Sequence, residues 1–189
     1  MRNKNLLTIC EGAMLVAVAI GLSYLKFPTG AYGGSVSLAM IPLIIFAVRW
    51  GIGWGFGAGL VFGTLKFLFA GGTALNWQSM LLDYSIAYAA VGCAGIMRGR
   101  KWGLVTGALI GCAARFIIHF ISGITIYLEY AEPTFKNIRT SNPWVYSAVY
   151  NAYYIVGNLI LALVVCAALT VPLEKYISNP RKPGKTRDG

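Results

Sequence analysis

The sequence is short of charge, and shorter still of acid. Charged residues make up 12% of its 189 positions, with six acidic side chains against 16 basic ones, where a soluble domain carries about 25% charge. Apolar residues make up 57%. Such a chain is not disordered, not a coiled coil and not an ordinary soluble enzyme, which leaves a polytopic membrane protein. Histidine occurs once. Cys10, Cys93, Cys112 and Cys166 all lie in apolar runs without CxxC spacing. They are expected to be small buried hydrophobes rather than metal ligands or a disulfide framework. There is no GxxxxGK[ST] loop to cradle ATP phosphates, no HExxH and no GxSxG. No catalytic residue, metal or cofactor is therefore expected. Inverted repeats and paired broken helices are also missing, which makes a stand-alone secondary transporter a poor fit. A binding subunit that takes its energy from partners fits better.

What the sequence does have is apolar runs. A spanning helix needs about 20 apolar residues. Six runs are candidates: Leu6–Leu25, Val36–Val48, Ile52–Phe69, Leu75–Met97, Gly103–Tyr127 and Trp144–Leu173. The second holds 13 residues, about 20 Å of helix against a hydrocarbon core of about 30 Å. The fold class expected is an all-α integral membrane bundle of six helices. It forms one domain over residues 1–178, with a basic, flexible tail over 179–189. Eleven cations (Arg2, Lys4, Arg49, Arg98, Arg100, Lys101, Lys175, Arg181, Lys182, Lys185 and Arg187) fall on one face of this topology. Three (Lys26, Lys136 and Arg139) fall on the other, and Lys66 and Arg115 lie within spans. The positive-inside rule then puts both termini in the cytoplasm. The net charge of +10 reports orientation and an anionic leaflet, not nucleic-acid binding.

Two stripes of small residues recur at i+4: Ala13, Ala17 and Gly21 in the first span, and Gly51, Gly55, Gly59 and Gly63 in the third. Close packing of helices inside the bundle is the first reading of both, and docking onto another membrane subunit the second.

Ionisable groups at bilayer depth cost roughly 2.5–3.5 kcal/mol on insertion scales, so they mark sites. Here they are Glu11, Lys66, Asp83, Arg115 and His119. Arg115 and His119 are i, i+4 on one helical face, with Ser122 and Gly123 a turn further along. The last span adds Tyr146, Tyr150, Asn151, Tyr153, Tyr154 and Asn158. Together with Asp83 and Tyr84 they outline an outward-facing pocket with one carboxylate, one imidazole, one carboxamide and several aromatic faces. That set suits a flat, cationic, heteroaromatic solute, because ring faces attract a delocalised cation and the carboxylate supplies the counter-charge. Loop residues Tyr32, Gly33 and Gly34, and Asn76, Trp77 and Gln78, are candidate lids. Glu11 and Lys66 are expected to be structural or coupling groups. Two alternatives stand beside the pocket. Asp83 and Arg115 can be a structural ion pair, and His119 with Ser122 can be the core of an intramembrane hydrolase.

Gly33-Gly-Ser-Val-Ser37, Met40-Ile-Pro42, Arg49-Trp-Gly51, Leu81-Leu-Asp-Tyr84, Arg115 with His119-Phe-Ile-Ser-Gly123, Trp144-Val-Tyr-Ser147 and Tyr150-Asn-Ala-Tyr153 follow in order along the chain. The series resembles the thiamine-specific substrate-binding (S) components of energy-coupling factor transporters. The resemblance implies a six-helix S-component bundle in a bacterial plasma membrane and thiamin as the ligand. The partners it implies are a transmembrane coupling protein and two ABC-type ATPases. It places Asp83 against the aminopyrimidine, His119 and Tyr146 beside the rings, Asn151 as a hydrogen-bonding partner and Tyr127 as a stacking aromatic. Tyr84 and Gly123 join the site, Arg115 and Tyr150 support it, and Ala13 and Ala17 face the coupling protein; apart from the resemblance, Trp77 is a candidate to replace the missing lid aromatic, because ring faces attract cations. The sequence departs from some relatives in having Asp83 for Glu, Tyr127 for Trp, and Gly33-Gly34 where a Trp stands. An S component for another vitamin, such as riboflavin or a pyridoxine-like compound, is the neighbouring alternative.

Overall fold

The computed structural model describes residues 4–28, 35–69, 76–125, 134–135, 138–139 and 142–178. The candidate site residue Tyr127, the lid residues Tyr32–Gly34 and the tail 179–189 lie outside them.

Helix α1 (Lys4–Tyr24) leads into a hairpin of β1 (Lys26–Pro28) and β2 (Ser35–Ser37), paired Lys26 to Ser37. Then follow α2 (Met40–Trp50), α3 (Ile52–Phe69), α4 (Trp77–Met97) and α5 (Gly103–Thr125). A two-residue ladder, β3 (Thr134–Phe135) with β4 (Ile138–Arg139), precedes α6 (Pro143–Thr170) and the short α7 (Glu174–Ser178). Among the described residues, five helices are long and apolar enough to cross a membrane, and α2, with 11 residues, is not.

The second span was expected over Val36–Val48. It starts at Met40 because Ser35–Ser37 is extended and locked to β1. Asn158 on α6 holds that strand: its amide donates to the Ser35 carbonyl at 2.8 Å and its oxygen accepts from the Ser37 amide at 3.0 Å. Residues 40–49 are all buried. A helix that is apolar all round belongs at the centre of a bundle, not on its lipid face. In α2, Ile44 and Val48 form the core together with Phe62, Tyr88, Leu104 and Ala108 of the neighbouring helices.

Neighbouring helices run antiparallel, and glycine sets their spacing. A Cβ on Gly59 would lie 2.1 Å from the Tyr88 carbonyl oxygen, and one on Gly63 2.2 Å from that of Tyr84. The α3 stripe is therefore filled by the backbone of α4, as close van der Waals packing in lipid requires. The α1 stripe behaves differently. Thr8, Gly12, Val16, Ala19 and Ser23 face the bundle, while Ala13, Ala17 and Gly21 are exposed. Internal packing, the first reading, thus fails for α1. The two stripes look alike in sequence, but the buried face of α1 lies one residue out of phase with its stripe.

Cysteine also departs from expectation in part. Cys112 and Cys166 are buried and Cys93 is half-buried, but Cys10 is exposed on the outer side of α1.

Helix α4 is irregular along its length. Asn76 caps it, accepting from the Ser79 amide at 2.8 Å while the Ser79 hydroxyl returns to the Asn76 backbone. Leu81–Ile86 forms a wide π-helical turn, closed by the Ala87 amide reaching back to the Leu82 carbonyl. Ala87–Ala90 is α-helical and Val91–Met97 tightens to a 3₁₀ helix. Wide turns of this kind are frequent at functional positions, and Asp83 sits inside this one.

The start of α1 and the end of the described chain meet at one end of the bundle. There the Glu11 carboxylate accepts from Arg49 Nε at 3.0 Å and from the Trp50 indole. The Arg49 guanidinium stacks 3.8 Å from the centre of the Tyr176 ring on α7. Burial pushes the Tyr176 hydroxyl up to about 12, helped by its hydrogen bond to Glu11. Glu11 is accordingly a structural group, one of the two roles, structural or coupling, that the sequence leaves open for it.

Candidate functional site

At the opposite end, α4, α5 and α6 bring the remaining polar groups together. Asp83 Oδ1 lies 3.0 Å from His119 Nδ1, with both side chains largely buried. Asn151, on the facing turn of α6, donates its amide to the His119 carbonyl at 3.2 Å and to the Ser147 carbonyl at 2.9 Å. Its oxygen accepts from the Tyr154 hydroxyl at 2.8 Å. Tyr154 in turn sets its ring edge-on to His119, with centroids 5.7 Å apart. Tyr146, Tyr150 and Tyr154 recur at i+4 and form one ladder. The first two stack at 6.1 Å and the last two meet edge to face at 6.0 Å. Stacked and edge-on rings at these separations are favourable pairs.

Beneath this layer lies a second, cationic one. Arg115 Nη2 donates to the Tyr88 hydroxyl at 3.1 Å and Nη1 to Met40 Sδ at 2.8 Å, while Nε reaches His119 Nε2 at 3.2 Å. Lys66 Nζ bonds the same Tyr88 hydroxyl. The Asp83–Arg115 ion pair held open by the sequence is therefore not formed. Arg115 lies one helical turn deeper than His119, and the π-turn brings Asp83 level with the histidine. Nor does Ser122 bond His119: its buried hydroxyl has no hydrogen-bond partner among the described residues, and both imidazole nitrogens are engaged elsewhere.

The other expected residues divide. Gly123 is where α5 meets α6, and a Cβ there would come within 2.1 Å of Ser147 Oγ and 3.3 Å of Asn151 Nδ2. Its lack of a side chain is what lets Asn151 approach His119. Tyr84 packs edge-on to Phe67, centroids 5.3 Å apart. Trp77 stands exposed at the start of α4. The sequence reading did not place Tyr88 or Met40 at the site, and it counted Tyr154 among the pocket's polar residues without giving it a role. The i+4 spacing of 146, 150 and 154 was a usable signal for Tyr154. Tyr88 carries none, because its partners come from α3 and α5. Among the described residues no three His, Cys, Asp or Glu side chains cluster to hold a metal.

The fold and this end-on cluster define a class: a multi-pass helical membrane protein with an aromatic, carboxylate-bearing polar cluster between three helices near one end. Comparison narrows it. The sequence profile of the thiamine transporter protein family (Thia_YuaJ) matches residues 9–178, and the chain belongs to that family. It is 29% identical to the thiamine transporter ThiT of Lacticaseibacillus paracasei, over 98% of each chain. It is 28% identical to ThiT of Bacillus subtilis, over 95% of this chain and 98% of that one. A solved structure of ThiT from Listeria monocytogenes superposes with a TM-score of 0.79 at 24% identity, covering 93% of this chain and 99% of the other. That likeness extends the family assignment to the fold.

Proposed function

We propose that the chain captures thiamin (vitamin B1) from outside a bacterial cell. In this reading it is the S component of an ATP-driven energy-coupling factor importer, and it does no chemistry of its own. Asp83 carries the proposal. It is an acid inside the membrane whose near partner is an imidazole rather than a guanidinium or ammonium, and it stands beside a ladder of tyrosines. A positively charged thiazolium gains from aromatic faces by about 0.5–2 kcal/mol each, and an aminopyrimidine can donate to the carboxylate. Asn151, Tyr146, Tyr150, Tyr84 and Gly123 line or shape the same end, and Trp77 is the candidate lid. The cationic loops 2–3 and 4–5 and the basic tail support a cytoplasmic position for both termini.

The exposed Ala13 and Ala17 stripe supports docking of a transmembrane coupling protein on α1, with two ATPases behind it. Release of thiamin inside would follow reorientation of the bundle on that partner. The test is calorimetry of the detergent-purified chain against thiamin, with riboflavin and pyridoxine as controls. Saturable heat with thiamin alone is expected. No heat at micromolar thiamin rejects the reading, and heat with another vitamin moves it to that ligand.

A further inference from the structure

The chain has a single histidine, and a guanidinium reaches its ring from below. We infer that Arg115 is a positioning residue that fixes His119 as the Nδ1–H tautomer, leaving Asp83 as the one charged group offered to a cationic ligand. The argument is one of donors and acceptors. A guanidinium has five N–H donors and no acceptor. The 3.2 Å bond from Arg115 Nε to His119 Nε2 therefore needs a lone pair on Nε2. The ring's one proton then resides on Nδ1, where it donates to Asp83 Oδ1 at 3.0 Å. The opposite tautomer would set two N–H groups against each other and turn a lone pair toward the carboxylate. An imidazolium would meet the same clash at Nε2.

Arg115 is built to hold that aim. Nη1 is anchored on Met40 and Nη2 on Tyr88, and its guanidinium carbon lies 4.2 Å from the centre of the Tyr88 ring. Tyr88 is itself held by Lys66. Two nitrogens fix the group and the third addresses the histidine. His119 thus occupies one carboxylate oxygen without bringing a positive charge to the pocket, and Oδ2 is left to accept from the ligand.

The same single histidine makes the test direct. With ¹⁵N-histidine incorporated into the full chain, both ring signals belong to His119. The expected wild-type spectrum at neutral pH shows Nδ1 protonated and Nε2 bare. Arg115→Met removes the donor, so the Nε2 signal moves to the protonated position. Arg115→Lys, whose ammonium can still donate, keeps it bare. A wild-type Nε2 that carries the proton overturns the inference, even if the Met variant fails to fold. So does a folded Met variant whose Nε2 stays bare.

The part concerning the ligand rests on the thiamin reading and has its own measurement. Arg115→Met should weaken thiamin binding about tenfold, the scale of one hydrogen bond lost in a buried site, and Arg115→Lys should restore most of it. Equal affinity in all three proteins overturns the link to Asp83. A wild type that shows the Nδ1–H tautomer but binds no thiamin supports the tautomer and rejects the ligand.

Discussion

Two of the acidic side chains lie in membrane-spanning helices, and the structure treats them in opposite ways. Glu11 meets a formal cation, Arg49, at 3.0 Å and accepts from Trp50 and Tyr176 as well. Its charge is consumed in tying α1, α2 and α7 together at one end. Asp83, at the other end, meets an imidazole, and the nearby cations, Arg115 and Lys66, spend their donors on Tyr88, Met40 and His119. One carboxylate is a fastener and the other a vacancy for charge. Acid in a membrane marks a site by default, but the partner decides whether the site serves the fold or a ligand.

Four substitutions test this contrast. Glu11→Ala should do the most damage. It strands the buried Arg49 guanidinium, and breaking such a pair costs about 3–5 kcal/mol. Thermal melts in detergent should drop sharply, with thiamin affinity of the folded fraction unchanged. A Glu11→Ala protein that melts normally but binds poorly would reverse the two roles. Asp83→Asn should do the converse, weakening thiamin binding by about 1–3 kcal/mol with little change in melting, as read by calorimetry. Tyr176→Phe should cost about 1 kcal/mol of stability through its lost hydrogen bond to Glu11.

That third difference has a pH signature. The hydroxyl sits at about 12 in the folded chain against a usual 10, so its contribution is fully present below pH 10. It fades as pH rises toward 12, because the unfolded chain ionises first. The melting gap between wild type and Tyr176→Phe should therefore close over that window, and a constant gap would mean that Tyr176 acts by packing alone. The smallest effect is expected for Ala17→Leu, within about 0.5 kcal/mol in stability and with unchanged thiamin affinity. Uptake by cells should nevertheless fail if α1 docks a coupling protein there, whereas normal uptake would remove that face from the interface.

Hydropathy carried much of this fold. Ile52–Phe69 was bounded correctly from the apolar run alone, and α5 and α6 began within a residue of where their runs begin. Charge placement and the family resemblance brought forward Asp83, His119 and Asn151, which the structure does gather. Other features escaped because they depend on a neighbour or on helical phase. The start of α2 is set by an extended strand that Asn158 holds from more than a hundred residues away. The outward turn of Ala13 and Ala17 follows from which face of α1 meets α2 and α3, and i+4 spacing carries no information about that. Asp83 meets His119 instead of Arg115 because a π-turn changes the angular register of α4, and no residue pattern in Leu81–Ile86 announces such a turn.

The wide turn has a consequence for how such a protein can change. A π-turn is a helix with one residue more than its neighbours require, and each residue added or removed rotates one side of a helix against the other by on the order of 100°. Asp83 lies within the turn and Tyr88 just beyond it, so the angle between the carboxylate and the cationic floor is set by a count of residues, not by their identity. Deleting Leu82 should swing Asp83 away from His119 while every polar side chain of the cluster is kept, and a vitamin panel run on that variant would show whether binding is lost or redirected. In a bundle of this kind, the aim of the carboxylate depends on the length of the turn as well as on the residues in it.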